Sequence, residues 1–142
     1  MIVIKRTGQL PLRFDGKLIT KVESSTGTSR NGGDAPEPDR WHHLTLYGLG
    51  AGTDAPYGYV LAIEYSSKWR NEFPRCDCLE FSTPDELASR LEQFDPLVGV
   101  VGFPTHAKYA VQQDRLKRRV SEAFYAALDT LLTEADIAVS LS

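Results

Sequence analysis

Cys76 and Cys78, together with His42, His43 and His106, are the residues of this chain whose types could hold a metal ion. Zinc needs three or four nitrogen and sulfur donors that converge on one point. Two features work against such a site. The cysteines are spaced Cys-x-Cys rather than CxxC, and His42 and His43 are neighbours on one strand, so they point to opposite faces and at most one can join the thiols. Cys76, Cys78 and His42 are the set a metal would use, but neither a metal nor any other cofactor is expected. Small buried cysteines and a strand histidine packed against an aromatic are the preferred reading. At i and i+2 on a strand the two thiols share a face, with Cβ atoms farther apart than the roughly 3.5–4.5 Å of a disulfide. A reduced pair suits the cytoplasm.

Glu64, Asp77 and Glu80, with Lys68 nearby, suggest a second chemistry. If their two strands pair, the carboxylates could hold a hard divalent cation or transfer protons, as in a metal-dependent hydrolase or nuclease. No recognised motif fixes their spacing. Gly48, Gly50 and Gly52 read GxGxG rather than GxGxxG, and Asp54-Ala55-Pro56 signals a turn where a phosphate-binding helix would start. No GxSxG elbow is present, and neither cysteine has a recognisable catalytic partner pattern.

Arg115, Lys117, Arg118 and Arg119, with Lys108 and the arm carrying Arg30 and Arg40, could contact phosphates as a nucleic-acid-binding helix. The formal charge of −3, the pI near 5.6 and the interleaved acids Asp114 and Glu122 count against this. Charge is nonetheless uneven. Residues 77–95 carry six acids against Arg90, a net −5, whereas residues 105–122 carry a net +3. Solvated helix faces explain most of that asymmetry.

Aromatic side chains concentrate around one strand and its exit: Tyr57, Tyr59, Tyr65, Trp69 and Phe73. Trp, Tyr and Arg are the residue types that anchor protein interfaces. Trp69, flanked by Lys68, Arg70, Asn71 and Glu72, is the one expected to be partly exposed. The sequence therefore favours a non-catalytic, cytoplasmic protein-binding domain of the accessory, regulatory, inhibitor or immunity type. Its contacts would run through Trp69, Tyr57, Phe73 and Arg70, to another protein or to a second copy in a homodimer. Membrane partners are not expected, because the densest apolar run, Val98 to Phe103, is far too short to span a bilayer.

These residues need a scaffold, and the chain from Tyr59 to Phe94 predicts its centre. Tyr59, Leu61, Ile63 and Tyr65 alternate with Val60, Ala62 and Glu64, as on a strand with both faces covered near Val60 and Ala62. Cys76 to Ser82 alternates in the same way. Thr83-Pro84-Asp85-Glu86 then announces a helix to Phe94 that lays Leu87, Leu91 and Phe94 on the sheet. Met1 to Thr7 and Leu10 to Phe14 read as short strands around Gly8, and Asp15-Gly16 as a two-residue turn returning Leu18 to Val22 against them. Glu23 to Arg40 lacks large aliphatics and is expected to be a mobile loop. Trp41 to Tyr47 pairs with Tyr59 onward across a long hairpin. Val98 to Phe103 reads as a short buried strand or a close-packed connector, with Gly99 and Gly102 permitting near approach. A long helix follows from Pro104 to about Leu132, and Ile137, Val139 and Leu141 suggest a terminal strand or extended tail. The 142 residues fit a single α+β domain, a mainly antiparallel sheet of about five or six strands with two helices packed on one face.

Overall fold

A computed structural model of the chain describes residues 1–24, 40–50, 56–101 and 107–137. Its strands are β1 (Ile2–Ile4), β2 (Leu12–Phe14), β3 (Gly16–Glu23), β4 (Arg40–Leu49), β5 (Tyr59–Ser67) and β6 (Arg75–Phe81). Its helices are α1 (Pro84–Glu92) and α2 (Ala110–Glu134), the latter entered through a 3-10 turn at Ala107–Tyr109. The fold is α+β and its pairings are antiparallel, with the strands divided between two sheets: four in the order β3-β4-β5-β6, and a separate β1-β2 pair.

Strict alternation builds the face that carries the helices. His42, Leu44 and Leu46 of β4 lie opposite Tyr65, Ile63 and Leu61 of β5, and Phe81 extends the row onto β6. Leu87 and Leu91 of α1 and Val120, Phe124, Leu128 and Leu131 of α2 close over them. Each such side chain contributes roughly 1.5–3 kcal/mol by leaving water. Thr83 caps α1 as its residue type predicts, accepting a hydrogen bond at Oγ1 from the Glu86 amide at 3.2 Å. The first ten residues of α2 include no buried side chain, so this end of the helix lies clear of the core.

On the opposite face Val60 is fully buried and Ala62 nearly so. The β1-β2 hairpin explains this. Its pairs Ile2–Phe14 and Ile4–Leu12 put four apolar side chains on one side, all half-buried. Phe14 meets Tyr47 edge-on at 5.5 Å, while at the far end Thr7 bonds both backbone groups of Cys76 on β6. The hairpin segment is thus tied to β4 on one side and to the edge strand β6 on the other, with Val60 of β5 between them.

Asp15-Gly16 is not the hairpin turn its dipeptide suggests. β2 pairs with β1, and Gly16 instead opens β3 opposite Leu49. The glycine is required because a Cβ there would collide with the Gly48 carbonyl. The second helix runs two residues past its expected end and closes at Ala135–Ile137. The Ile137 amide bonds to the Leu132 carbonyl at 2.8 Å and Asp136 to Thr133 at 3.1 Å, with Asp136 at φ 57°, which is a Schellman closure. Residues 95–101 form a connector of hydrogen-bonded turns, with Val98 and Val101 exposed rather than buried in a strand. Gly99 meets the expectation of close approach: a Cβ there would sit 2.5 Å from Tyr65 Cδ2. Most of the predicted mobile loop, residues 25–39, and the end of the tail, 138–142, lie outside the described residues. No helix among the described residues is long and apolar enough to cross a membrane.

Candidate functional site

The loop from Ser67 to Pro74, which joins β5 to β6, is pinned from below by its one acid. Glu72 is buried, and its carboxylate accepts from Arg40 Nε at 2.9 and 3.0 Å, from Arg40 Nη2 at 2.8 Å, from the Tyr65 hydroxyl and from the Val101 amide at 3.2 Å. Four donors on one carboxylate meet the condition under which a buried charge is tolerated. Strand geometry supplies three of them, two from Arg40 and one from Tyr65. Arg40 and Tyr65 project from β4 and β5 on the helix side, two positions apart in the ladder. Burial, then the bond to Glu72, raises the Tyr65 pKa well above its ordinary value, so the hydroxyl stays a donor.

Above this knot the loop presents its aromatics to solvent. Trp69 is 51% and Phe73 77% exposed, and Lys68, Arg70 and Asn71 lie between or beside them. The Arg40 guanidinium stacks on the Trp69 ring at 5.4 Å, and the Trp69 amide donates to Ser67 Oγ at 3.0 Å. Val101, tied to Glu72 through its amide, adds a further exposed apolar side chain from the 95–101 connector. The surface is apolar and cationic, and its only loop carboxylate is neutralised underneath.

Beside the knot His42 is 1% exposed, between the rings of Tyr65 and Phe124 at 5.2 and 5.0 Å. Nε2 lies 2.9 Å from the Pro96 carbonyl and therefore carries the proton; Nδ1 has no partner among the described residues. Burial lowers its pKa to about 4, outweighing the Pro96 carbonyl, which raises it.

The other predicted residues do not all converge. Tyr57 is exposed but stands beyond the start of β5, whereas Trp69, Arg70 and Phe73 follow its end, a separation of roughly 27 Å along the strand. The carboxylate cluster is not formed. Asp77 lies opposite Ile63 on the helix side and binds Arg75 at 3.0 Å, while Glu64 and Glu80 are on the other face, with Glu80 four residues from Glu64's partner Cys76. The Cys76, Cys78 and His42 set fails for the same reason of strand parity. His42 is buried under the helices, and it is His43 that shares the cysteine face, where its Nε2 accepts from Trp41 Nε1 at 2.7 Å. Among the described residues no three His, Cys, Asp or Glu side chains are placed to hold a metal ion. Arg115, Lys117, Arg118 and Arg119 are exposed on α2, but at roughly 100° per residue Lys117 points away from the other three.

The cysteines occupy the open part of the second face. Both are half-buried and their thiols are hydrogen-bonded to each other, which lowers the Cys76 pKa and raises that of Cys78. Tyr47, on the same face, has its pKa raised by burial and then by the two thiols and Glu64. A groove of about 310 Å³ opens at the β6 edge beside Cys78, lined also by Arg6, Gln9, Glu80 and Arg90. Thr7 covers the edge at Cys76, and Arg90 Nε donates to the Glu80 carbonyl at 3.3 Å.

The residues that sequence reasoning missed are Arg40 and Glu72. They are 32 positions apart, with no periodic relation. The one available hint was an acid set among Trp69, Phe73 and Pro74. No protein-family model, no curated protein and no solved structure matches this chain.

Proposed function

We propose that the chain is a small, non-catalytic, cytoplasmic binding domain of the accessory, regulatory, inhibitor or immunity kind, which docks another protein through the Ser67–Pro74 loop. The observation that carries this reading is the pairing of exposed Trp69 and Phe73 with a buried Arg40–Glu72 anchor below them. A loop fixed before binding loses little conformational entropy on docking, and half-exposed Trp beside Arg is the composition of an interface hot spot. Arg70 supplies the charge at the rim; Tyr57, at the other end of β5, belongs to a separate contact or to none. Two free thiols suit the cytoplasm.

The test is chemical cross-linking in the cells that make the protein, with sedimentation velocity on the purified chain. The reading predicts one partner, another protein or a second copy, cross-linked through Lys68 and lost from a Trp69→Ala/Phe73→Ala variant that remains folded. A partner retained unchanged by that variant would overturn it. So would hydrolytic activity abolished by Glu64→Gln, the outcome the metal-dependent hydrolase reading requires.

A further inference from the structure

We propose that Cys76 and Cys78 form a two-thiolate site for a thiophilic monovalent cation of the cuprous type, entered through the groove at the β6 edge. Cys76 follows the docking loop by two residues, but the site does not depend on that loop's anchor, because both cysteines leave β6 on the face opposite the one from which Tyr65 reaches Glu72. Three observations carry it. Cys78 lies opposite Ala62 and Cys76 opposite Glu64, so the two half-buried side chains leave the sheet on the same face, with a hydrogen bond between their thiols and no disulfide. Neighbouring same-face positions on a strand are roughly 6.7 Å apart, too wide for the Cβ spacing of a disulfide. A linear sulfur–metal–sulfur unit, with bonds of roughly 2.3 Å, needs sulfurs about 4.6 Å apart, which two side chains leaning together can supply.

The second observation is the shortage of further ligands. Among the described residues no third His, Cys, Asp or Glu completes a set, which disfavours a tetrahedral divalent ion and leaves two-coordinate, soft-ligand binding. The third is charge and access. Two thiolates around a monovalent cation keep one negative charge, and the Arg6 guanidinium faces Cys78 across the groove that admits solvent. Binding forms two metal–sulfur bonds and releases both thiol protons to water; no electron is transferred.

The experiment titrates the reduced full-length protein anaerobically with cuprous ion buffered by bathocuproine disulfonate, and reads the coordination by X-ray absorption. The expected result is one ion per chain with two sulfur neighbours, lost in Cys76→Ser and in Cys78→Ser with the circular dichroism unchanged. Should a serine variant misfold, N-ethylmaleimide blocking of the folded wild-type thiols must abolish binding instead. Uptake that survives both variants or blocking, coordination by three or more ligands, or one ion shared between two chains would each overturn the proposal.

Discussion

The two faces of the β3–β6 sheet obey the same alternation and end in opposite conditions. Under the helices three ionisable groups are sealed in: Glu72, Arg40 and His42 are each under 10% exposed, and their charges or ring nitrogens are met by other protein groups, apart from His42 Nδ1. On the hairpin side three residues of paired strand at a time cover Val60 and Ala62, and Glu64, His43, Cys76 and Cys78 keep contact with water. The difference teaches which polar residues hold the fold and which are available for chemistry. An acid in a functional-looking loop, Glu72, is structural, whereas its apolar neighbours Trp69 and Phe73 are the exposed groups.

Breaking the sealed side has the largest expected effect. Glu72→Ala leaves Arg40 buried without its partner and removes the acceptor of the Tyr65 hydroxyl, so urea unfolding should show a loss of about 3–5 kcal/mol. A loss under about 1 kcal/mol would mean that the knot is not what fixes the loop.

Acid should act on the same side through His42. Its pKa is about 6.5 unfolded and about 4 folded, so the unfolded state binds the proton more readily. Stability from this group is complete above pH 6.5, falls by roughly 1.4 kcal/mol per pH unit below it, and is spent near pH 4, a total of about 3 kcal/mol. Urea midpoints measured from pH 7.5 to 4 should show this slope, and His42→Asn, though less stable throughout, should lack it. On the open face Glu64→Gln should change stability by no more than about 0.5 kcal/mol, because its carboxyl stays in water. A larger loss would show the hairpin side to be closed more tightly than its exposure indicates.

Local signals made the centre of the fold legible. The alternation of β5 and β6, the Thr83 cap and the Leu87–Leu91 stripe each depend on residues within a turn or two of one another, and the structure follows them. The failures have two causes. Asp15-Gly16 carries a turn dipeptide whose glycine serves a close approach to Gly48, a contact 32 residues away that outweighs the local preference. Asp136 closes α2 in a left-handed conformation usually given to glycine, so the helix end had no compositional mark. Of the candidate site, the exposure of Trp69 was readable from its polar neighbours. The Arg40–Glu72 anchor was not, because it is created by the ladder that sets Arg40 two positions from Tyr65.

On this reading the loop's aromatics are dispensable to the fold that holds them in place. Thermal unfolding of the Trp69→Ala/Phe73→Ala variant beside wild type tests it most directly. The melting temperature is expected within roughly 8 °C of wild type, since the variant gives up half-exposed contacts and one cation–π stack on the buried Arg40, worth about 1–2 kcal/mol. A fall as large as that of Glu72→Ala would contradict it and make Trp69 and Phe73 part of the core.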